Sequence, residues 1–408
     1  MFDRTSILVG LELGTAKVCA LVGEAQSDGL PRILGVGQAP SRGVRKSEVT
    51  NPALAEEDIR AALDEVERSA DVEVRSVILG IGGGHLQGFN NRGLHTIVSA
   101  DREIVPEDVE DVVRNAKAIN VPADHHVLHA IRQHFAVDGQ EDIPDPVGML
   151  GSRLEVEMHV THGKASRIQN AIRVVRGLHL EVQDVVFTGL ASSLALLTRQ
   201  QKELGALVLD LGAGATDYVV YGRGVVRHSG VLAVGGDHVS YDLANGLRVP
   251  QGRAEQLKVE HGGAFPDDAV RGRVLAGVSE HGLPETPVNL EHLRRIMHAR
   301  LEETLDIVRE ELEEKGVLHQ VRGSVHLCGG GARIPGITEL ASRTFGLPAV
   351  VGTNAGVSSV PSGLDQPEFA TAIGLLRYGA LQHAPRRDVR RTGWRGLLPG
   401  PLRQLMPG

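Results

Sequence analysis

Two short stretches carry the residue types that could handle a charged phosphate ligand. Leu11-Glu12-Leu13-Gly14 near the start recurs as Leu209-Asp210-Leu211-Gly212, 198 positions later in a chain of 408. Each copy ends an apolar strand on an acid, then a glycine turn, then a second apolar strand. Glycine permits tight backbone geometry and lets N–H groups face an anion with no Cβ in the way. Two such turns facing each other could clamp a polyphosphate, with Glu12 and Asp210 holding a hydrated Mg²⁺ through water, since this hard ion prefers oxygen ligands and keeps its waters. The first turn offers Gly14, Thr15 as a hydroxyl, Ala16, and Lys17 as a cation; the second offers Gly212, Ala213, Gly214 and Ala215, followed by Thr216 and Asp217. A third cluster, Gly329-Gly330-Gly331 with Arg333, follows a strand and precedes a helix, where a flat base or ribose could approach closely. Any one turn alone reads as an ordinary hairpin; the acid repeated in both copies and the third cluster favour a binding site.

The elements that must position these residues alternate between strand and helix, which makes the class α/β. Helical spacing predicts helices at 53–69, 106–118, 165–177, 291–314, 336–345 and 367–381. Strands are expected at 76–81, 127–137, 153–161 and 323–328, with strand pairs at 7–23 and 206–222. Helix 106–118 opens on Pro106 and two early carboxylates, a good start signal. Texture changes between 85 and 165, consistent with an inserted unit. Two similar halves, each with a turn and an acid, suggest two lobes around one cleft.

Composition bounds the alternatives. Apolar residues make up 41%, charged residues 23% and aromatics 3%, a globular balance. Cys19 and Cys328 are the only cysteines, which excludes a disulfide framework and a thiolate zinc site. Net charge is −8, yet six arginines and one aspartate fall after residue 384. An acidic body argues against nucleic acid, and a basic tail suggests a phospholipid surface. Glu12 interrupts the apolar run from Ile7, so no signal peptide is expected, and the chain reads as cytoplasmic. Trp394, Leu397, Leu398, Leu402 and Leu405 recur at helical spacing between arginines, the pattern of an interfacial amphipathic segment. Pro399 and Pro401 favour a broken helix there over one rod. Gly80, Gly82, Gly83 and Gly84 lack the dinucleotide spacing and read as a strand end. His125, His126, His129 and His134 fit no zinc spacing.

The three clusters resemble the phosphate-one, phosphate-two and adenosine motifs of the actin, sugar-kinase and heat-shock ATPase superfamily. Within it the chain is most similar to the FtsA family of bacterial cell-division proteins, through Val9–Val18, Pro40–Gly43, Glu107–Glu110, Gly189–Ser193, Ala254–Gly262 and Ala372–Gly379. The resemblance implies an actin-like (ribonuclease H-like) two-lobed fold with an FtsA-type 1C insertion. Subdomain 1A would take 1–84, 166–197 and 360–381, the 1C insertion 85–165, subdomain 2A 198–232 and 301–359, subdomain 2B 233–300, and a linker and membrane tail 382–408. It further implies ATP and Mg²⁺ as ligands, with Glu255 and Lys258 beside the adenosine and Gly235-Gly236 closing over the phosphates. Arg300 would help bind the acidic C-terminal peptide of the tubulin-like protein FtsZ, a carboxylate partner suited to a guanidinium. Other implied partners are further copies of the chain in a filament, anionic lipid at the cytoplasmic face of the inner membrane at the septum, and other division proteins. The segment Phe187–Ser193 carries no carboxylate or amide to orient water, and Ala213 and Ala215 depart from the common phosphate-two form, so binding with slow or no hydrolysis is expected. A small-molecule kinase of the same fold and a PilM-like pilus assembly platform are the alternatives.

Overall fold

The computed structural model describes residues 7–26, 29–98, 101–266, 268–275, 287–355, 357 and 363–383. The first lobe begins with a meander of β1 (Ile7–Leu13), β2 (Lys17–Ala25) and β3 (Pro31–Pro40). A small hairpin, β4 (Val44–Arg45) and β5 (Glu48–Val49), leads into α1 (Pro52–Ala70) and β6 (Ser76–Ile81). Asn51 caps α1 by accepting from the Leu54 N–H at 3.2 Å, and Pro52 suits the first turn, where its missing N–H costs nothing. Ala55, Ile59, Ala62, Leu63 and Val66 form its buried stripe. That stripe lies against β3 so closely that a Cβ on Gly37 would stand 2.0 Å from the Ala62 carbonyl oxygen.

An inserted unit follows: β7 (Leu86–Thr96), α2 (Pro106–Lys117), β8 (His125–Val137), β9 (Gln140–Ile143) and β10 (Arg153–Lys164). Its strands form a separate antiparallel sheet in the order β7-β10-β8-β9, and Val112, Ala116, Phe135, Leu154, Val156 and Met158 give it a core of its own. The chain then re-enters the first lobe through α3 (Ala165–Gly177), β11 (Glu181–Phe187) and α4 (Thr188–Leu196), before α5 (Arg199–Leu204).

The second lobe repeats the opening meander as β12 (Ala206–Leu211), β13 (Thr216–Gly222) and β14 (Val225–Leu232). Next come α6 (Gly236–Leu247), α7 (Gln251–His261), the short β15 (Val274–Leu275) and β16 (Val288–Asn289), and the long α8 (Leu290–Glu314). Leu293, Met297, Leu301, Leu305, Val308 and Leu312 bury one side of α8, at the spacing the sequence predicts. The lobe closes with β17 (Ser324–Cys328), α9 (Ile337–Phe345) and β18 (Ala349–Val351), and α10 (Ala370–His383) returns to the first lobe.

The two main sheets share one topology. Their orders are β3-β2-β1-β6-β11 and β14-β13-β12-β17-β18, antiparallel within each meander and parallel in the last two strands. The carboxyl ends of β1 and β12, which bear Glu12 and Asp210, are therefore equivalent positions. Helix α4 lies between the sheets, with every residue from Gly189 to Leu196 buried. It crosses α10 where a Cβ on Gly374 would fall 1.8 Å from the Ala191 carbonyl oxygen. The inserted sheet leans on β14 of the second lobe: His159 Nε2 is 2.7 Å from the Ser229 hydroxyl, and Asn90 Nδ2 donates to the Arg227 carbonyl at 3.0 Å. Segment 367–381, expected as one helix, opens instead as a 3₁₀ turn at Pro367–Phe369 and becomes α-helical only from Ala370.

Candidate functional site

The β1–β2 turn and the β12–β13 turn come from different lobes and touch at their tips. A Cβ on Gly214 would lie 2.4 Å from Thr15 Oγ1. Each turn is locally tight: Gly212 N–H donates to the Ala215 carbonyl at 3.0 Å, and Gly14 packs on the Lys17 carbonyl, 2.6 Å from where a Cβ would sit. Ala16 turns outward from this contact and accepts from the Ser41 N–H at 3.1 Å.

Behind the turns the acids converge. Asp210 accepts from the Ser192 hydroxyl at 2.5 Å and from Thr371 at 2.8 Å. Asp217, directly across the ladder from Asp210, accepts from the Thr188 hydroxyl. Glu12 is half-buried, and its Oε2 atom, itself buried, has no hydrogen-bond partner among the described residues. Burial, then the neighbouring Asp210 charge, pushes Glu12 up to about 8, while Lys17 pulls the other way. Burial and the Asp210 charge raise Asp217 to about 7. Asp210 itself is raised by burial, offset by its hydroxyl donors. A cluster so short of positive charge is the environment a bound cation would relieve.

Among the described residues no group of three histidine, cysteine or acidic side chains is placed to ligate a metal directly. The buried, orphaned Glu12 oxygen is of the acceptor type that a hydrated cation would bond through its water. Lys17, expected to face a phosphate, is instead held by Gln38 Oε1 at 3.1 Å and lies 3.9 Å over the Phe369 ring. Asp217 completes the acidic group that sequence reading reduced to Glu12 and Asp210. Its signal was present, as an acid seven residues after Asp210, but its meeting with Thr188 is a long-range contact. Phe187–Ser193 itself carries no carboxylate, yet β13 brings that of Asp217 to Thr188.

The remaining candidates surround the second turn. Gly236 N–H donates to the Gly212 carbonyl at 3.0 Å and Asp237 N–H to the Ala213 carbonyl at 2.8 Å, so the start of α6 is tied to this turn. Gly235 N–H is bonded to His238 Nδ1 at 3.2 Å. Gly235 and Gly236 thus contribute close approach: a Cβ on Gly235 would fall 2.5 Å from the Gly212 carbonyl oxygen. Lys258 donates to the Gly236 carbonyl at 3.0 Å and pairs with Glu255 at 2.7 Å, while Ser240 donates to Glu255. The third glycine cluster packs on the end of β12. Gly329 has φ 76°, and a Cβ there would stand 2.4 Å from Asp210 Oδ1. Gly331 abuts Leu211, whereas Gly330 opens onto free space. Leu211, Gly212, Gly235, Gly236, Leu301 and Gly331 line one small cavity. Arg333 pairs with Glu368 at 2.7 Å.

Two candidates lie apart. Arg300, on α8, bonds Asp242 of α6 at 2.5 Å and pairs with Glu303. Trp394, Leu397, Leu398, Leu402 and Leu405 lie outside the described residues. The histidines serve structure: His129 accepts from the Phe187 N–H at 3.0 Å, and His125 lies 2.8 Å from His162.

Duplicated five-stranded sheets, with acid-bearing turns meeting across a cleft, define an actin-like two-lobed α/β protein. Solved structures agree on the fold. The PilM-PilN type IV pilus biogenesis complex superposes with a TM-score of 0.62 at 19% identity, covering 91% of this chain and 98% of that one. MreB5 of Spiroplasma citri bound to ADP gives 0.54 at 14% identity, covering 91% and 95%. The "Cell division protein FtsA" family model matches residues 207–374, and that of the "SHS2 domain inserted in FTSA" matches 83–162, the inserted sheet. Cell division protein FtsA of Escherichia coli K12 is 36% identical over 388 residues, 93% of this chain and 92% of that protein. The Pseudomonas aeruginosa protein of the same name is 35% identical over 373 residues, covering 91% and 89%. That of Borreliella burgdorferi is 34% identical over 374 residues, covering 91% of each. The chain belongs to the FtsA family of cell division proteins.

Proposed function

We propose that the chain binds ATP with magnesium between its two mirrored turns and uses the bound nucleotide to organise the division machinery. The observation that carries this reading is Glu12: a half-buried acid with one buried oxygen unpartnered among the described residues, electrostatically coupled to Asp210 from the other lobe. When bound, magnesium would shield the charge of the triphosphate from these acids. The chain's own residues do the rest. Asp210, held by Ser192 and Thr371, fixes the wall of the second lobe. Gly14, Thr15, Gly212, Ala213, Gly214 and Ala215 set the turns against the phosphates, and Gly235 and Gly236 let α6 approach them. Glu255, Lys258 and the Gly329–Gly331 cluster with Arg333 flank the adenosine side. Asp217 with Thr188 can orient a water, so hydrolysis is slow rather than absent.

In the same reading the chain divides as the resemblance implies; the separate sheet and core of the insertion support its 1C unit, and the later boundary between 2B and 2A falls within α8. The head assembles into filaments with further copies and grips the FtsZ C-terminal peptide beside Arg300. The arginine-rich tail ties it to anionic lipid at the cytoplasmic face of the inner membrane, and no described helix is long and apolar enough to cross one. The test is electron microscopy on anionic lipid monolayers with ATP, comparing the full chain with one lacking residues 390–408. Filaments on lipid for the full chain alone support the reading; equal lipid binding by both removes the anchor.

A further inference from the structure

The β4–β5 hairpin has no part in the reading above, yet its tip sits where the two turns meet. Val44 pairs with Val49 and Arg45 with Glu48, which leaves Lys46 and Ser47 as a two-residue turn. Both are left-handed, with φ 50° and 60°. Turns of this kind ordinarily use asparagine and glycine, and side chains there are disfavoured. Such a conformation persists only where its surroundings hold it, and it concentrates at functional sites.

The surroundings are specific. Ser47 N–H donates to Thr15 Oγ1 at 2.8 Å, and Glu48 pairs with Arg167 at 2.5 Å. Asp58 clamps the root by accepting from the Arg42 and Gly43 N–H groups at 2.6 and 3.2 Å. From the other lobe Gly214 abuts the tip, and a Cβ on it would fall 2.6 Å from Lys46 Cα. The Lys46 side chain is exposed and enters no ion pair among the described residues. Its charge reaches His238 in the first turn of α6, where it helps hold that imidazole below its ordinary range after burial, the larger cause. Lys17, the other lysine beside the turns, is engaged with Gln38 and Phe369.

We infer that Lys46 contacts the terminal phosphate of a bound nucleoside triphosphate and makes the site prefer triphosphate to diphosphate. The inference rests on the nucleotide reading and assigns it a residue that reads ligand charge. Gly331 packs on Leu211, before the second turn, whereas the hairpin meets Gly214 within it. A base on the Gly331 side therefore sends the last phosphate towards Lys46. An ammonium there gains a charge-assisted bond only when that phosphate is present.

The test is calorimetric titration of the full chain with magnesium and either a non-hydrolysable ATP analogue or ADP, for the unaltered chain, Lys46→Gln and Lys46→Arg. Lys46→Gln is expected to weaken triphosphate binding about tenfold while leaving ADP within about twofold, and Lys46→Arg to retain the preference. Glutamine must adopt the same left-handed backbone, so a purely structural loss would weaken both nucleotides alike. Equal loss for both, or no loss, overturns the role of Lys46. Failure of the unaltered chain to bind either nucleotide overturns the nucleotide reading and this inference with it.

Discussion

Gly214 of the second lobe stands against Thr15 of the first, with room for a hydrogen between them and none for a methyl group. A Cβ at 214 would also fall 2.8 Å from the Lys46 backbone nitrogen, which cannot swing away as a long side chain can. Gly214→Ala must therefore open the contact between the turns. Overpacking of this kind costs about 1–3 kcal/mol. Thermal unfolding should shift down by several degrees, and ATP should bind about tenfold more weakly. Unchanged values for both would mean that the lobes do not meet here.

The acidic cluster makes stability depend on pH in a defined direction. Glu12 is raised from 4.5 to about 8, so the folded chain holds its proton more tightly than the unfolded chain does. Its favourable contribution is complete below about pH 4.5 and is lost as pH rises through 8. Asp217, raised to about 7, acts in the same sense over a lower window. Half-buried His85 and buried His129 and His159 are held below their ordinary range and act in the opposite sense below about pH 6.5, so the acids are read by difference. Without nucleotide, the melting temperature of the unaltered chain should fall relative to that of Glu12→Gln between pH 5 and 8, as read by calorimetric scans of both across the range. A difference that stays constant or grows in favour of the unaltered chain would contradict the clustering.

Asp217 and Thr188 give the site a group that can take up a proton. Asp217→Asn should slow phosphate release in single-turnover measurements by about tenfold or more while leaving ATP binding nearly unchanged. An unaltered release rate would show that hydrolysis, however slow, does not pass through this carboxylate.

Arg300 enters the account already paired. Binding an acidic peptide there requires the guanidinium to share with or leave Asp242. Arg300→Glu should abolish co-pelleting with FtsZ, and Asp242→Asn should strengthen it by freeing the fork. Strengthening by neither and loss by neither would place the peptide elsewhere.

Legibility followed the range of the interactions involved. The repeated acid and glycine were readable because the ladder spacing of each strand–turn–strand is local, as the pairing of Leu13 with Val18 and of Leu211 with Thr216 records. The stripe on α8 was readable for the same reason: its residues recur every three or four positions. The edge strands β3, β7 and β14 carry mixed patterns and were not singled out. The hairpin at Lys46-Ser47 has neither glycine nor asparagine to mark it, because its left-handed turn is imposed by Thr15, Gly214 and Arg167. Lys17 is legible as a cation beside the first turn, whereas its contacts with Gln38 and Phe369 are long-range and no local pattern announces them. The docking of the insertion on β14 rests on His159 and Ser229, 70 residues apart, and no local pattern announces it.

Direct titration of magnesium–ATP into the full chain, beside Asp210→Ala and Glu12→Ala, tests the central claim that acids from both lobes hold one ligand. One saturable site per chain, lost in Asp210→Ala and weakened in Glu12→Ala with both variants folded, is the expected result. Binding that persists unchanged in both variants would contradict it.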